Sequence, residues 1–158
     1  MSETIKFPPP GLPRRLAAMV YDTCLVLPLV MVTVAIGMIV PAVLGHEPTG
    51  EIGTALLDAN IVRLIAFIAV VGFFSVFWLK SGQTLAMQAW RIKLVNSSGG
   101  DIRWWQAIVR CLGAVLSAAC LGAGYWWCLI DTRGRYWHDY LSGTELILLP
   151  KKEKKEKR

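Results

Sequence analysis

Polar positions are scarce over three long parts of this chain and crowded between them. The first apolar stretch runs from about Leu16 to Leu44. The second, IVRLIAFIAVVGFFSVFWL, covers Ile61 to Leu79. The third, AIVRCLGAVLSAACLGAGYWWCLI, covers about Ala107 to Ile130. A helix needs roughly 20 consecutive apolar residues to cross a bilayer, so the pattern predicts two full transmembrane helices and a third membrane segment. Pro28, Gly37 and Pro41 interrupt the first stretch and predict a kink or an early helix end. The second carries one charge, Arg63, at an end from which its side chain can reach water. Trp78 and Lys80 mark its other end as interfacial anchors do. In the third, Arg110 lies near the start and LGAGYWW near the middle. That segment fits either one tilted crossing or a shallow re-entrant hairpin turning at Gly122–Gly124.

Between these stretches the period changes. WRIKLV (90–95) and GTELILL (143–149) are rich in β-formers, and the first runs into the turn signal NSSGGD. Neither strand is stable alone. Pairing them requires both on the same side of the membrane, which favours the re-entrant form of the third segment. The proline-rich prefix KFPPPGLP predicts an extended run along the surface before the first helix. The first apolar stretch is too long for a cleavable signal peptide, and no small-x-small site follows it closely.

Charge sets the orientation. Lys6, Arg14 and Arg15 precede the first span, and Lys80, Arg91, Lys93 and Arg103 lie between the second and third. GHEPTGEIGTALLDAN, between the first and second, has three acids and no Lys or Arg. The positive-inside rule then puts the N-terminus and the second loop in the cytoplasm and the acidic loop outside. The pairing argument makes the C-terminus cytoplasmic too.

Composition agrees with this reading. Of 158 residues 54% are hydrophobic and only 18% charged, and the mean hydropathy is +0.47, above the usual soluble domain. A net charge of +6 raises nucleic acid as a partner, but the basic residues flank apolar runs and form no basic domain, so no specific nucleic-acid contact is expected. The tail KKEKKEKR (151–158) holds six basic and two acidic residues, hence +4 of that charge. It reads as a solvated, disordered end beside anionic lipid headgroups, with residues 1–150 as a single membrane domain. Cys24, Cys111, Cys120 and Cys128 all lie in apolar stretches without a C-x-x-C pair, and read as small core or lipid-facing residues.

RRLAAMVYD raises the question of chemistry. Arg15 and Asp22 are seven residues apart and share a helix face, roughly 10 Å apart along the axis, too far for a direct salt bridge. A charge within a membrane helix costs about 2.5–3.5 kcal/mol at the helix centre on insertion scales and usually faces a bundle interior. Asp22 therefore needs a partner. Arg110 is the strongest candidate because it starts from the same face of the membrane. Arg63, Arg15 of a neighbouring subunit, Thr23 and Tyr21 are weaker ones. Two readings stand side by side. Asp22 binds and releases a proton or cation, or it pins helices together through an arginine. In RYWHDYLSGT, His138 and Asp139 are adjacent and diverge on a helix. His138 could titrate with pH, while Asp131, Arg133, Arg135 and Asp139 could form a hydrogen-bonded network tying the last segment to the loop. No nucleophile elbow accompanies them, so no enzyme activity is expected. With His46 predicted on the opposite side, no metal site or cofactor is expected either. The seven tryptophans sit mostly at predicted span ends, as an aromatic belt does.

These residues resemble the RDD family of small bacterial membrane proteins, named for an arginine opening the first helix, an aspartate inside it and a further aspartate. RRLAAMVYD supplies Arg15 and Asp22. SGQTLAMQAWRIKLVNSSGGDIRWWQAIVR resembles the family's glycine–threonine loop with its closing Arg110. LIDTRGRYWHDYLSGTELIL resembles the family ending, with Asp131, His138, Asp139, Gly143 and Thr144. The likeness covers Pro13 to Leu149. One departure is Ala86, where the family pattern leads one to expect glycine before the methionine. The resemblance implies a few membrane helices and a suggested transport role. The expectation is therefore an all-α integral membrane protein of the bacterial inner membrane with a small cytoplasmic strand pair. Its candidate binding residues are Arg15, Asp22, Arg110, Asp131, His138 and Asp139. So few helices hardly enclose a pathway in one copy, so a homo-oligomer or a partner membrane protein is expected beside the lipid bilayer. A non-transporting scaffold or assembly module is the alternative.

Overall fold

The computed structural model describes residues 7–43 and 59–151. The acidic loop up to Asp58 with His46, and the basic tail beyond Lys151, lie outside the described residues. Two helices are long and apolar enough to cross a membrane. Helix α1 spans Leu12–Val43 and α2 spans Ala59–Ser81. Almost none of the apolar Leu12–Gly37 segment is covered by protein. Val20, Met31, Val32 and Ile36 are all more than half exposed, which hydrocarbon accommodates and water does not. The expected break in α1 is absent as a helix end: the helix runs through Pro28 and Pro41 to Val43. A proline removes one ladder bond, but in an apolar setting every other backbone group is still held best within the helix.

The third stretch is helix α4, Trp104–Ala119, followed by the single turn α5, Ala123–Trp126, bent 107° from it. Leu121 and Gly122 both have left-handed backbone, with φ of 54° and 79°, and this reverses the chain. The return runs back along α4. Gly124 packs directly on Ser117, leaving no room for a Cβ, and Tyr125 Oη donates to the Ala114 carbonyl at 3.2 Å. Further down, His138 lies against Gly113, on helix α6, Trp137–Ser142. The chain then enters strand β2, Thr144–Leu148, which pairs antiparallel with β1, Ile92–Asn96, in the register Ile92↔Leu148 to Asn96↔Thr144. The strand pair expected from WRIKLV and GTELILL is present and brings segments before and after α4 to one end of the fold.

That end is a compact cap. A short helix α3, Leu85–Ala89, leads into β1. Ala18 of α1, Met87, Ile92 and Leu94 form its core, with Trp78, Trp90, Ile102 and Leu146 around them. The proline-rich prefix covers the outer edge of β2, where Leu148 N–H donates to the Pro8 carbonyl at 2.9 Å. Pro9 and Pro10, having no N–H, cannot extend the ladder further. Gly82, at φ +70°, lets the chain pass under β1, where Leu94 N–H donates to its carbonyl at 2.8 Å. A Cβ there would sit 2.6 Å from the Leu94 carbonyl oxygen. Gly82→Ala is expected to destabilise the protein by about 1–3 kcal/mol, combining left-handed strain with a backbone clash. A lowered melting temperature in detergent checks this.

Candidate functional site

The two membrane helices meet the cap at a buried polar cluster, and each of its charges is held differently. Arg15 is 4% exposed, and its Nε donates to the Pro10 carbonyl at 2.8 Å and its Nη1 to the Gly134 carbonyl. Its guanidinium also lies over the Tyr136 ring, 5.0 Å from the centroid. One side chain thus ties the start of α1 to the prefix and to the loop before α6. Arg110, 5% exposed, pairs with Asp139 Oδ1 and donates to Thr144 Oγ1 at 2.9 Å, and its guanidinium stacks over Trp78 at 5.4 Å. Asp139 Oδ2 accepts the Tyr136 N–H at 2.7 Å and so caps the first turn of α6. Ser142 Oγ and Thr144 Oγ1, 2.7 Å apart, complete the network.

Asp22 is not part of that network. Its expected partner Arg110 is taken by Asp139, because α6 lies directly along α4. Thr23 bonds back to the Met19 carbonyl at 2.9 Å, Tyr21 meets the Trp90 ring edge-on, and Arg63 donates to Asn60 at 3.3 Å. Asp22 Oδ2 instead accepts a hydrogen bond from Thr84 Oγ1 at 2.8 Å. Thr84 is fully buried and is also the N-cap of α3, accepting from Met87 N–H at 3.1 Å. Its hydroxyl joins α1 to the cap through one oxygen. The other Asp22 oxygen, Oδ1, is buried without a hydrogen-bond partner.

The four residues expected to form one network do not form one: Asp139 pairs with Arg110 and Asp131 with Arg135, and Arg133 belongs to neither pair. Asp131 accepts from Arg135 N–H at 2.7 Å and Tyr140 Oη at 2.5 Å, closing the turn before α6. Its carboxyl is held below the usual range despite some desolvation, by the Tyr140 hydroxyl and by Arg135. Arg133 is exposed. His138, 4% exposed, packs beside Tyr125 and Tyr136 with ring centroids 5.3 and 5.0 Å away. Burial first, then Arg110 and Arg15, pushes its pKa down to about 3 against the opposing pull of Asp139. Its surroundings thus favour the neutral imidazole. An unfolded chain takes up this proton near the ordinary value of 6.5, so stability is full above that pH and falls as pH drops towards 3. His138→Gln is expected to remove up to one proton from the pH dependence of unfolding across that window, about tenfold in the equilibrium per pH unit. Chemical denaturation at pH 4.5 and 7 checks it.

Between α1, α2 and α4 lies a cavity of about 420 Å³ that Asp22, Arg15, Arg110, Trp78 and His138 share as its polar end. Its walls are apolar, with Val26 from α1, Phe67, Val71 and Phe74 from α2, and Ala114 from α4. Both α1 and α4 pack on α2 and hardly on each other, so the cavity opens between them past the exposed Met19, Leu27 and Val115. Among the described residues no group of three or more His, Cys, Asp or Glu could hold a metal ion, and the four cysteines are free.

Long, lipid-compatible helices over a small cap, with a buried carboxylate facing an apolar cavity, define a small helical membrane protein. The RDD family model matches residues 9–143, and the chain belongs to the RDD family. Neither a curated protein nor a solved structure matches it.

Proposed function

We propose that this protein transports a proton, a cation or a small solute across the bacterial inner membrane, with Asp22 as the exchanging carboxylate. One observation carries the reading: Asp22 lines a cavity open between α1 and α4, and one of its carboxylate oxygens, Oδ1, is buried without a hydrogen-bond partner. A buried carboxylate in that state gains most from a proton, a cation or a donor arriving from outside the chain. In this reading the α4–α5 hairpin re-enters rather than crosses. The prefix, the cap and β2 then share one side, which the basic residues Arg91, Lys93 and Arg103 make cytoplasmic. Two full spans do not enclose a pathway, so the working form is a homo-oligomer or a complex with a partner membrane protein.

The test is flux in proteoliposomes with a trapped pH dye under imposed Na⁺, K⁺ and pH gradients. Asp22→Asn is expected to lower the rate at least tenfold while keeping the protein monodisperse. Flux equal in both proteins removes Asp22 from the mechanism. A second reading, a non-transporting scaffold, is favoured by a separate observation: Arg15, Arg110, Asp131 and Asp139 all hold internal contacts. It gains if neither protein passes ions and the variant melts earlier.

A further inference from the structure

Five buried side-chain polar atoms among the described residues lack a hydrogen-bond partner, and three of them, Asp22 Oδ1, Trp78 Nε1 and His138 Nδ1, belong to residues lining the same cavity. Buried polar atoms are nearly always paired in folded proteins, so this concentration points to a missing partner. The three are chemically complementary. Ionised, the carboxylate oxygen only accepts, the indole N–H only donates, and a neutral imidazole nitrogen does either according to its tautomer. A single hydroxyl, which donates and accepts, serves both ends as a water does, and the apolar walls beyond it favour one carried on an apolar chain.

The surroundings narrow the class further. A second negative charge is disfavoured, because Asp22 already occupies the polar end. The two arginines there are turned to other partners, Arg15 to the Pro10 and Gly134 carbonyls and Arg110 to Asp139 and Thr144. A bare divalent ion would find too few ligating oxygens among the described residues. Everything beyond the polar end is apolar, and the mouth lies between two helices whose outer faces suit lipid. A volume of about 420 Å³ falls within the range of small-molecule sites, about 300–1,000 Å³. We propose that the cleft between α1 and α4 binds a single-chain, uncharged amphiphile whose head carries a hydroxyl. The head lies between Asp22, Trp78 and His138, and the chain runs along Val71 and Phe74. This uses the cavity assigned above to transport, but it stands on hydrogen-bond complementarity and does not require flux.

The test uses three photoactivatable probes with the same tail: a long-chain alcohol, its methyl ether, and the alkane. Each is crosslinked to the purified full chain in detergent and mapped by peptide mass spectrometry. The alcohol is expected to label segments 67–74 and 114–118 and to be displaced by unlabelled alcohol. The ether, which cannot donate to Asp22, is expected to label about fivefold less, as loss of one hydrogen bond implies. Trp78→Phe is expected to lower alcohol labelling by a similar factor while leaving alkane labelling unchanged. Val71→Trp, with Ala114→Phe as a second filling variant should the first misfold, is expected to abolish labelling by all three. Equal labelling by alcohol, ether and alkane would overturn the proposal, as would labelling outside the cleft or labelling that survives a well-folded filling variant. Selective labelling without flux under any gradient leaves this inference standing and removes transport. Flux that depends on Asp22 with unselective labelling does the reverse.

Discussion

Asp139→Ala is expected to cost about 3–5 kcal/mol and to release the cap from the membrane helices, the range found when one member of a buried ion pair is removed. Asp139 is 1% exposed and serves two ends at once. One oxygen neutralises Arg110 on α4, and the other caps α6 through the Tyr136 N–H. Without it the Arg110 guanidinium stays among Trp78, Thr144 and apolar walls with no counter-charge, and α6 loses its first-turn acceptor. The measurement is the melting temperature in detergent, with limited proteolysis at 131–149 as a local probe. The partner change separates charge from packing. A double variant, Arg110→Met with Asp139→Leu, should recover much of the loss, because two apolar side chains leave no unpaired charge. If Asp139→Ala melts with the wild type, the pair does not anchor the cap.

The second large effect is expected at Thr84. Thr84→Val keeps the shape and removes the hydroxyl, so α3 loses its N-cap and Asp22 loses its side-chain donor. An N-cap contributes about 1 kcal/mol and a hydrogen bond to a charged group about 1.5–3 kcal/mol, so a loss of about 2.5–4 kcal/mol follows. Thr84→Ser, which retains the oxygen, should lose much less. Thr84→Val with Asp22→Leu should cost less than the sum of the single changes, since neither then leaves a lone buried polar group. Additive losses would show that the two residues do not interact.

These expectations mark where the sequence was informative. Arg15 and Asp22 share a face of α1, as their spacing required, and both are buried. Yet they do not share a partner. Arg15 reaches two backbone carbonyls that no residue-type pattern signals. Thr84 was not singled out from the sequence, and its bond to a residue 62 positions earlier leaves no local signal. Arg110 had two carboxylates to choose from, Asp22 and Asp139. The choice rests on Gly113 and Gly124, whose missing side chains let the returning chain lie against α4. Pro28 and Pro41 did not end α1, because breaker rules drawn from water overstate what one lost hydrogen bond does in an apolar helix.

By itself the sequence determined the two spans, the strand pair and the asymmetric placement of charge, since each is written in runs and periods a few residues long. Only the tertiary structure decided which carboxylate met which arginine. It also left one oxygen of Asp22 without a partner, and set three residues that each carry an unpaired buried polar atom along one cavity. Burial and hydrogen-bond pairing depend on groups brought together from distant parts of the chain, and no local pattern records which of several suitable partners arrives first at the lowest free energy.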